Sequence, residues 1–193
     1  KYSCSAINFH GGVDKRYPQL DQHNVFLSDT FREGLDKIFR EKSVGNKPCF
    51  YVHAPAKLDP SAAPPGQESI SVEVGTGHID NLHHQDWNEI RDRTRTAVLD
   101  RLRKQGLEDL EDHIKFEICH TPESWENGCN ISRGSVFGSL GHNIFQMGYF
   151  RPHNRHPRYK NLYFAGGSTH PGNGVPLALI SARLTSEKII QNS

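Results

Sequence analysis

The sequence predicts an α/β fold with mixed helices and strands, and three observations support this class. Short strand-like runs alternate with helix-like segments along the 193 residues. Residues 87–102 carry apolar side chains at helical spacing, with arginine and aspartate on the opposite face. A glycine-rich loop near the carboxyl end lies between an apolar run and a final helical segment. Strands and helices that alternate in this way are typical of α/β proteins.

The strands are predicted from short apolar or alternating runs. The first covers residues 4–9, and we expect it to stop at Gly11 and Gly12 because glycine weakens a strand. Residues 49–52 and 69–74 flank the proline-rich stretch 58–66, so we expect these two strands to pair with each other. Further strands are placed at residues 24–27, 114–118 and 161–165.

The helices are predicted from apolar periodicity and capping residues. Ser28 or Asp29 is expected to cap a helix whose apolar residues lie between positions 31 and 39. Asp86 caps a second helix, and Thr121 caps a third with proline at its first position. Val175 begins the last helix, which continues to about residue 190.

The charge balance excludes several classes of partner. Lys and Arg number 23, Asp and Glu number 22, and the net charge is +1. This balance predicts no nucleic-acid partner and no polybasic face for anionic lipid. No run approaches the roughly 18 apolar residues of a membrane-spanning helix. The basic run Arg151, Arg155, Arg158 and Lys160 is interpreted as a solvated face in preference to a phosphate clamp.

Cysteine and histidine usage gives no metal prediction. The four cysteines lack C-x-x-C spacing, and reduced thiols of an intracellular protein are preferred over a disulfide framework. Among the 12 histidines, His153 and His156 could lie close together in a loop. No cysteine or carboxylate accompanies them in sequence, so surface histidines are preferred and no metal is expected.

The loop at residues 166–174 is the most informative segment for chemistry. Glycines allow a backbone to approach a ligand closely, and the following helix offers unpaired N–H groups and a positive dipole end. The segment is therefore compatible with a cofactor contact. It is not a G-x-G-x-x-G motif, and from these residues alone a tight turn that binds nothing is preferred.

The stretch 161–176, N-L-Y-F-A-G-G-S-T-H-P-G-N-G-V-P, resembles the carboxyl-terminal signature of the bacterial and fungal phytoene desaturase family. Segments 14–20, 23–27, 50–52, 59–64, 138–143 and 148–152 are similar to that family in the same order. Departures occur at Gly167, where the family usually has alanine, and at 9–12 and 72–78. The last two make the choice of substrate uncertain.

The resemblance implies a flavin amine oxidase-like fold, in which a Rossmann-like FAD-binding domain is interleaved with a substrate domain built on a mixed β-sheet. Residues 1–130 would belong mainly to the substrate domain. Residues 131–193 would be the carboxyl-terminal return segment of the FAD domain. The dinucleotide-binding part with G-x-G-x-x-G does not occur in this sequence, so we expect a carboxyl-terminal fragment that cannot hold FAD tightly alone.

The implied activity is FAD-dependent desaturation of phytoene or a related linear carotenoid, an oxidoreductase reaction on CH–CH groups. A long apolar isoprenoid substrate, peripheral membrane contact and an intracellular location are expected with it. The oligomeric state and the final electron acceptor stay open. Two alternatives are a related flavoprotein isomerase or saturase that acts on another isoprenoid, and a non-catalytic module that binds hydrophobic ligands.

The resemblance assigns the cofactor contact to residues of the glycine-rich loop and the helix start. These residues are Gly166, Gly167, Ser168, Thr169, His170, Pro171, Gly172, Gly174, Val175 and Pro176. His170 is the one titratable residue among them. A hydrogen bond that braces the loop is preferred for it over a role in proton removal.

Overall fold

The computed structural model describes residues 1–138, 140–141 and 143–191. Ser139 and His142, in the family-like segment 138–143, lie outside the described residues. The strands are β1 (Ser5–Val13), β2 (His23–Phe26), β3 (Phe50–His53), β4 (Glu68–Thr76) and β5 (Ile114–His120). The α-helices are α1 (Phe31–Phe39), α2 (Trp87–Arg103), α3 (Leu110–His113), α4 (Pro122–Cys129) and α5 (Val175–Gln191).

The described strands form one sheet in the order β2-β3-β4-β1-β5. Each neighbouring pair in it is antiparallel, including the predicted partners β3 and β4. The mixed sheet that the resemblance implied is therefore antiparallel throughout the described residues. The α/β class itself is confirmed, whereas the division into two domains near residue 130 stays a prediction.

The sequence predicted that the first strand stops at its two glycines, and this prediction is wrong. β1 continues through Gly11 and Gly12 to Val13 and pairs with β4 along its whole length. The hydrogen bonds of a ladder are made by backbone groups, so glycine can take part in them. A Cβ atom at Gly12 would lie 2.2 Å from the ring of Phe116, which shows that the missing side chain makes room for this neighbour.

The predicted strand at residues 161–165 is wrong, because no neighbouring strand pairs with it in the described residues. Its contacts are a single antiparallel bridge between Tyr163 and Arg155 and a few turn-like hydrogen bonds. One of these joins the Phe164 amide to the Asn154 carbonyl oxygen at 2.8 Å. The segment is thus an extended return beside residues 154–156.

The helix predictions are largely confirmed. Asp86 caps α2 by accepting hydrogen bonds from the next backbone amides, and Thr121 caps α4 in a capping box. α5 begins at Val175 as expected. The residue before α1 is Thr30, and it makes no side-chain cap bond, so neither Ser28 nor Asp29 is the cap residue.

One face of the sheet is covered and forms the core. Apolar side chains of β1 and β4 on this face, such as Ile7 and Val74, are buried together with Val98 and Leu102 of α2. Burial of this apolar face is the main stabilising contribution to the sheet. In α5 the distribution of polar and apolar side chains is the opposite. Its buried residues are Ser181 and Thr185, and most of its aliphatic side chains are exposed.

Candidate flavin-contact loop

The glycine-rich loop has open space where side chains would stand. Gly166 and Gly174 have φ values of 115° and 93°, in the left-handed region that favours glycine. A Cβ atom added to either residue would meet no atom of the described residues within 4 Å. The local backbone conformation therefore requires glycine, and the space beside it is available to a ligand.

The start of α5 lies directly after this open space. The Ala178 amide bonds to the Gly174 carbonyl oxygen at 2.9 Å, which closes the first helical turn. Among the described residues, the amides of Val175 and Leu177 have no hydrogen-bond partner, and Pro176 between them has no amide hydrogen. The positive end of the helix is thus free to stabilise negative charge on a ligand.

A buried cluster of hydroxyl and amide groups holds the loop from below. Ser181 Oγ accepts hydrogen bonds from the Gly166 amide at 3.1 Å and from Asn154 Nδ2 at 3.0 Å. It lies 2.9 Å from Thr169 Oγ1, which donates to the Gly166 carbonyl oxygen at 3.0 Å. Because both backbone groups of Gly166 are bound, the loop is fixed relative to α5.

Asn154 is the centre of this cluster, and no sequence pattern indicates a role for it. Its side chain is fully buried, and Nδ2 also donates to the His170 carbonyl oxygen at 2.9 Å and to that of Phe164 at 3.3 Å. Its Oδ1 atom has no partner among the described residues. Ser181 and Thr185 were missed as well, although two hydroxyl residues four positions apart in an apolar helix mark one polar face.

His170 lies at the other side of the loop. Its backbone amide bonds to the Pro152 carbonyl oxygen at 2.9 Å, and Nδ1–H donates to the Gly148 carbonyl oxygen at 3.1 Å. The ring lies 6.4 Å from Tyr149 and 6.0 Å from His153, measured between ring centroids. These bonds fit the preferred interpretation of His170 as a brace between the loop and the neighbouring turn, and proton removal stays the untested alternative.

Arg151 contradicts the interpretation of residues 151–160 as a solvated basic face. Its side chain is buried, with 3% exposed, and Nη1 donates to the Gly167 carbonyl oxygen. Burial lowers the pKa of its guanidinium. A basic run can have one member turned inward, and only the tertiary packing of the loop decides which one.

The uncovered face of the sheet carries polar side chains that the sequence also left without a role. Cross-strand neighbours place His23, His53, Ser71 and His10 in one row. His10 Nδ1 lies 2.9 Å from Ser71 Oγ, and the rings of His23 and His53 stack with centroids 5.1 Å apart. Burial, followed by the nearby His120, lowers the pKa of His10. We call the row of four residues the polar row.

The described residues contain neither a cluster of metal ligands nor a helix that could span a membrane. No group of three or more histidine, cysteine, aspartate or glutamate side chains is arranged to hold a metal ion. None of the described helices combines the length and apolar composition needed to cross a bilayer.

Comparison with known proteins identifies the family. Residues 21–190 match the family model for flavin containing amine oxidoreductases. A phytoene desaturase of Fusarium fujikuroi is 38% identical over 209 residues, which is 99% of this chain and 36% of that protein. A zeta-carotene-forming phytoene desaturase of Myxococcus xanthus is 39% identical over 98% of this chain and 36% of that protein. A 4,4'-diapolycopene oxygenase of a Methylomonas species is 37% identical over 97% of this chain and 37% of that protein.

The chain thus spans little more than a third of the length of these curated relatives. They confirm the similarity to carotenoid desaturases that the loop and the other segments indicated. Because the family model matches residues 21–190, the chain belongs to the flavin-containing amine oxidoreductase family.

Proposed function

We propose that this chain contributes the flavin-ring contact and part of the substrate surface of an FAD-dependent desaturase that acts on phytoene or a related linear carotenoid. One observation carries the proposal. The loop from Gly166 to Gly174 combines open space at two glycines with unbonded amides at the start of α5. Membership of a flavin-containing family supports a flavin in this space, and FAD is the form we propose.

The residues of the loop fit a flat ring that carries negative charge when reduced. Bound FAD would supply the acceptor for the two electrons and the hydride equivalent that leave the substrate. The glycines permit close approach of the backbone, and the amides of Val175 and Leu177 at the positive end of α5 would stabilise negative charge on the bound ring. The cluster around Ser181 and Asn154 keeps this arrangement in place, which lowers the cost of ordering the loop on binding.

An exposed apolar segment beside the loop supports a hydrocarbon substrate. Within residues 144–150 the large exposed side chains are Ile144, Phe145, Met147, Tyr149 and Phe150. Tyr149 contacts the rings of His153 and His170, so this segment adjoins the proposed flavin contact. A linear polyene has no polar group to bind, and apolar contacts of this kind are its natural recognition surface.

The same segment supports peripheral attachment to a bilayer inside the cell, where such a substrate would dissolve. Contiguous exposed apolar side chains commonly mark a contact with membrane or another protein. Flotation of the natural protein with phosphatidylcholine vesicles tests this part. The double variant Phe145→Ser/Phe150→Ser should float less than the parent. An equal fraction afloat for both would contradict attachment through this segment.

The test of the desaturase function uses the natural protein that contains this chain. The purified protein should carry bound FAD and convert phytoene into products whose longer conjugation absorbs at longer wavelength. Gly166→Ala should reduce both the FAD content and the rate of phytoene conversion. The new methyl group enters the open space, and alanine disfavours φ near 115°. Gly128→Ala is the matched control, because its Cβ atom also meets no neighbour but lies in α4. Unchanged FAD content and turnover in Gly166→Ala would refute the contact.

A second candidate is a related flavoprotein, such as an isomerase or saturase, that acts on another isoprenoid. The polar row favours it, because hydrogen-bonding groups on the uncovered sheet face suit a substrate with an oxygen atom better than a pure hydrocarbon. Product analysis with phytoene, lycopene and a hydroxylated polyene separates the candidates. Faster conversion of the hydroxylated compound would favour the second.

A further inference from the structure

Arg151 is a buried cation whose side chain is only partly bonded. With 3% of the residue exposed, Nη1 donates to the Gly167 carbonyl oxygen. Among the residues that the structure describes, no other group bonds to its side chain, and no carboxylate forms an ion pair with it. Nε and Nη2 therefore retain unused N–H donors, although guanidinium groups ordinarily use most of them.

Two glycines lie beside this guanidinium, Gly172 in the proposed flavin-contact loop and Gly138 outside that loop. A Cβ atom at Gly138 would lie 3.4 Å from Nη1, and one at Gly172 would lie 3.9 Å from Nε. Gly138 also has a φ of 96°, which favours glycine independently of the packing. The guanidinium thus lies in a pocket of backbone, directly behind the loop that starts α5.

A charge in such a place requires compensation. Burial lowers the pKa of this guanidinium, and no negative group among the described residues counters that effect. A guanidinium nevertheless stays charged in proteins, so an anion that approaches it would offset the cost of its burial. Buried arginines of this kind are retained where a carboxylate, a phosphate or another anion binds.

We propose that Arg151 is a positioning residue that balances the negative charge of the reduced flavin ring and fixes the loop through Gly167. This inference rests on the proposed function, because it assumes the flavin beside the loop. The unused donors and the positive charge of Arg151 would stabilise the reduced flavin ring more than the oxidised one. The flavin should consequently be easier to reduce than it would be beside a neutral side chain.

The test measures a property of the bound flavin that does not require turnover. Sulfite adds to the oxidised flavin ring and leaves a negative charge on it, so its dissociation constant reports the stabilisation of that charge. In the natural protein loaded with FAD, Arg151→Gln should weaken sulfite binding tenfold or more. The reduction potential should fall by about 30 mV for each factor of ten in the two-electron equilibrium. The affinity for oxidised FAD should change less than the affinity for reduced FAD.

Arg158→Gln is the matched control, since it makes the same substitution in the same segment at an exposed position. It should leave the sulfite affinity and the potential unchanged. The inference is wrong if Arg151→Gln also leaves the sulfite affinity and the reduction potential unchanged. It is also wrong if Arg151→Gln weakens the binding of oxidised and of reduced FAD equally. The second outcome would assign Arg151 to a phosphate of the cofactor or to packing alone.

A second variant covers the case in which Arg151→Gln does not fold. Arg151→Lys keeps a positive charge, but burial lowers the pKa of a lysine so that it titrates in an accessible range. Sulfite affinity in this variant should fall more steeply above neutral pH than in the parent. Superimposable pH profiles would overturn the inference. A natural protein that binds no FAD at all would instead refute the proposed function, which keeps the two failures distinguishable.

Discussion

Replacement of Asn154 by aspartate should detach the glycine loop from its support. The two side chains have nearly the same shape, so packing is retained while the Nδ2 donor is lost. The variant places a carboxylate oxygen against the carbonyl oxygens of Phe164 and His170 and leaves Ser181 Oγ without this donor. A buried network of this kind is costly when only part of it is satisfied.

The expected loss of stability follows from the geometry of these bonds. Two contacts of Asn154 Nδ2, at 2.9 and 3.0 Å, have ordinary hydrogen-bond lengths. Their loss costs about 1 kcal/mol each. The uncompensated buried charge raises the total to about 3–5 kcal/mol. Each kcal/mol lowers the melting temperature by about 2–4 °C in a protein of roughly 150–250 residues, and by less in a longer one.

Two measurements on the natural protein check this value. Thermal denaturation gives the global change, and hydrogen exchange of the Gly166 and His170 amides gives the local one. Asn161→Asp is the control, because Asn161 is exposed in the same segment. Asn154→Asp should lower the melting temperature and speed both amides, whereas Asn161→Asp should change neither. A loss below about 1 kcal/mol with unchanged exchange would refute the view that the cluster holds the loop.

Four further predictions concern other parts of the fold. Gly134→Ala should destabilise by about 2–4 kcal/mol in urea titrations, because a left-handed φ of 59° and a backbone oxygen 2.2 Å from the new Cβ oppose it. Gly34→Ala, in the middle of α1 with no neighbour within 4 Å, should instead stabilise by up to about 1 kcal/mol. Hydrogen bonds from a lysine and then a histidine lower the pKa of Asp14, so its contribution is present above the unfolded pKa of about 3.9 and is lost as the pH falls further. Asp14→Asn should therefore flatten the acid limb of the stability profile, and an unchanged limb would contradict the pairing. Burial, followed by a nearby glutamate, raises the pKa of Cys119 to about 12. Cys119 should therefore react with a disulfide reagent far more slowly than the exposed Cys129, and equal rates would contradict its burial.

Local signals in the sequence were sufficient for much of the fold. The caps at Asp86 and Thr121 act through hydrogen bonds within a few residues, so sequence alone specifies them. The pairing of β3 with β4 followed from two strand patterns around a proline-rich loop. The start of α5 and the glycine conformations of the loop were likewise set by neighbouring residues.

Features that depend on distant contacts could not be predicted in this way. The burial of Arg151 results from packing against a loop 16 residues away, and its sequence neighbours Arg155 and Arg158 give no sign of it. β1 passes through two glycines because strands on both sides pair with it. The polar row joins residues of four strands, and only the register of the sheet brings them together.

The hydroxyl residues on the inner side of α5 also determine a spacing. Ser181 and Thr185 are small, so the helix axis can approach residues 161–165 closely. Thr185 Oγ1 therefore donates a hydrogen bond to the Phe164 carbonyl oxygen at 2.8 Å. A leucine at either position would push the helix outward and carry its first turn away from Gly166. Two short side chains, more than one turn beyond the helix start, thus set the distance between the first turn of α5 and a ligand bound at the loop.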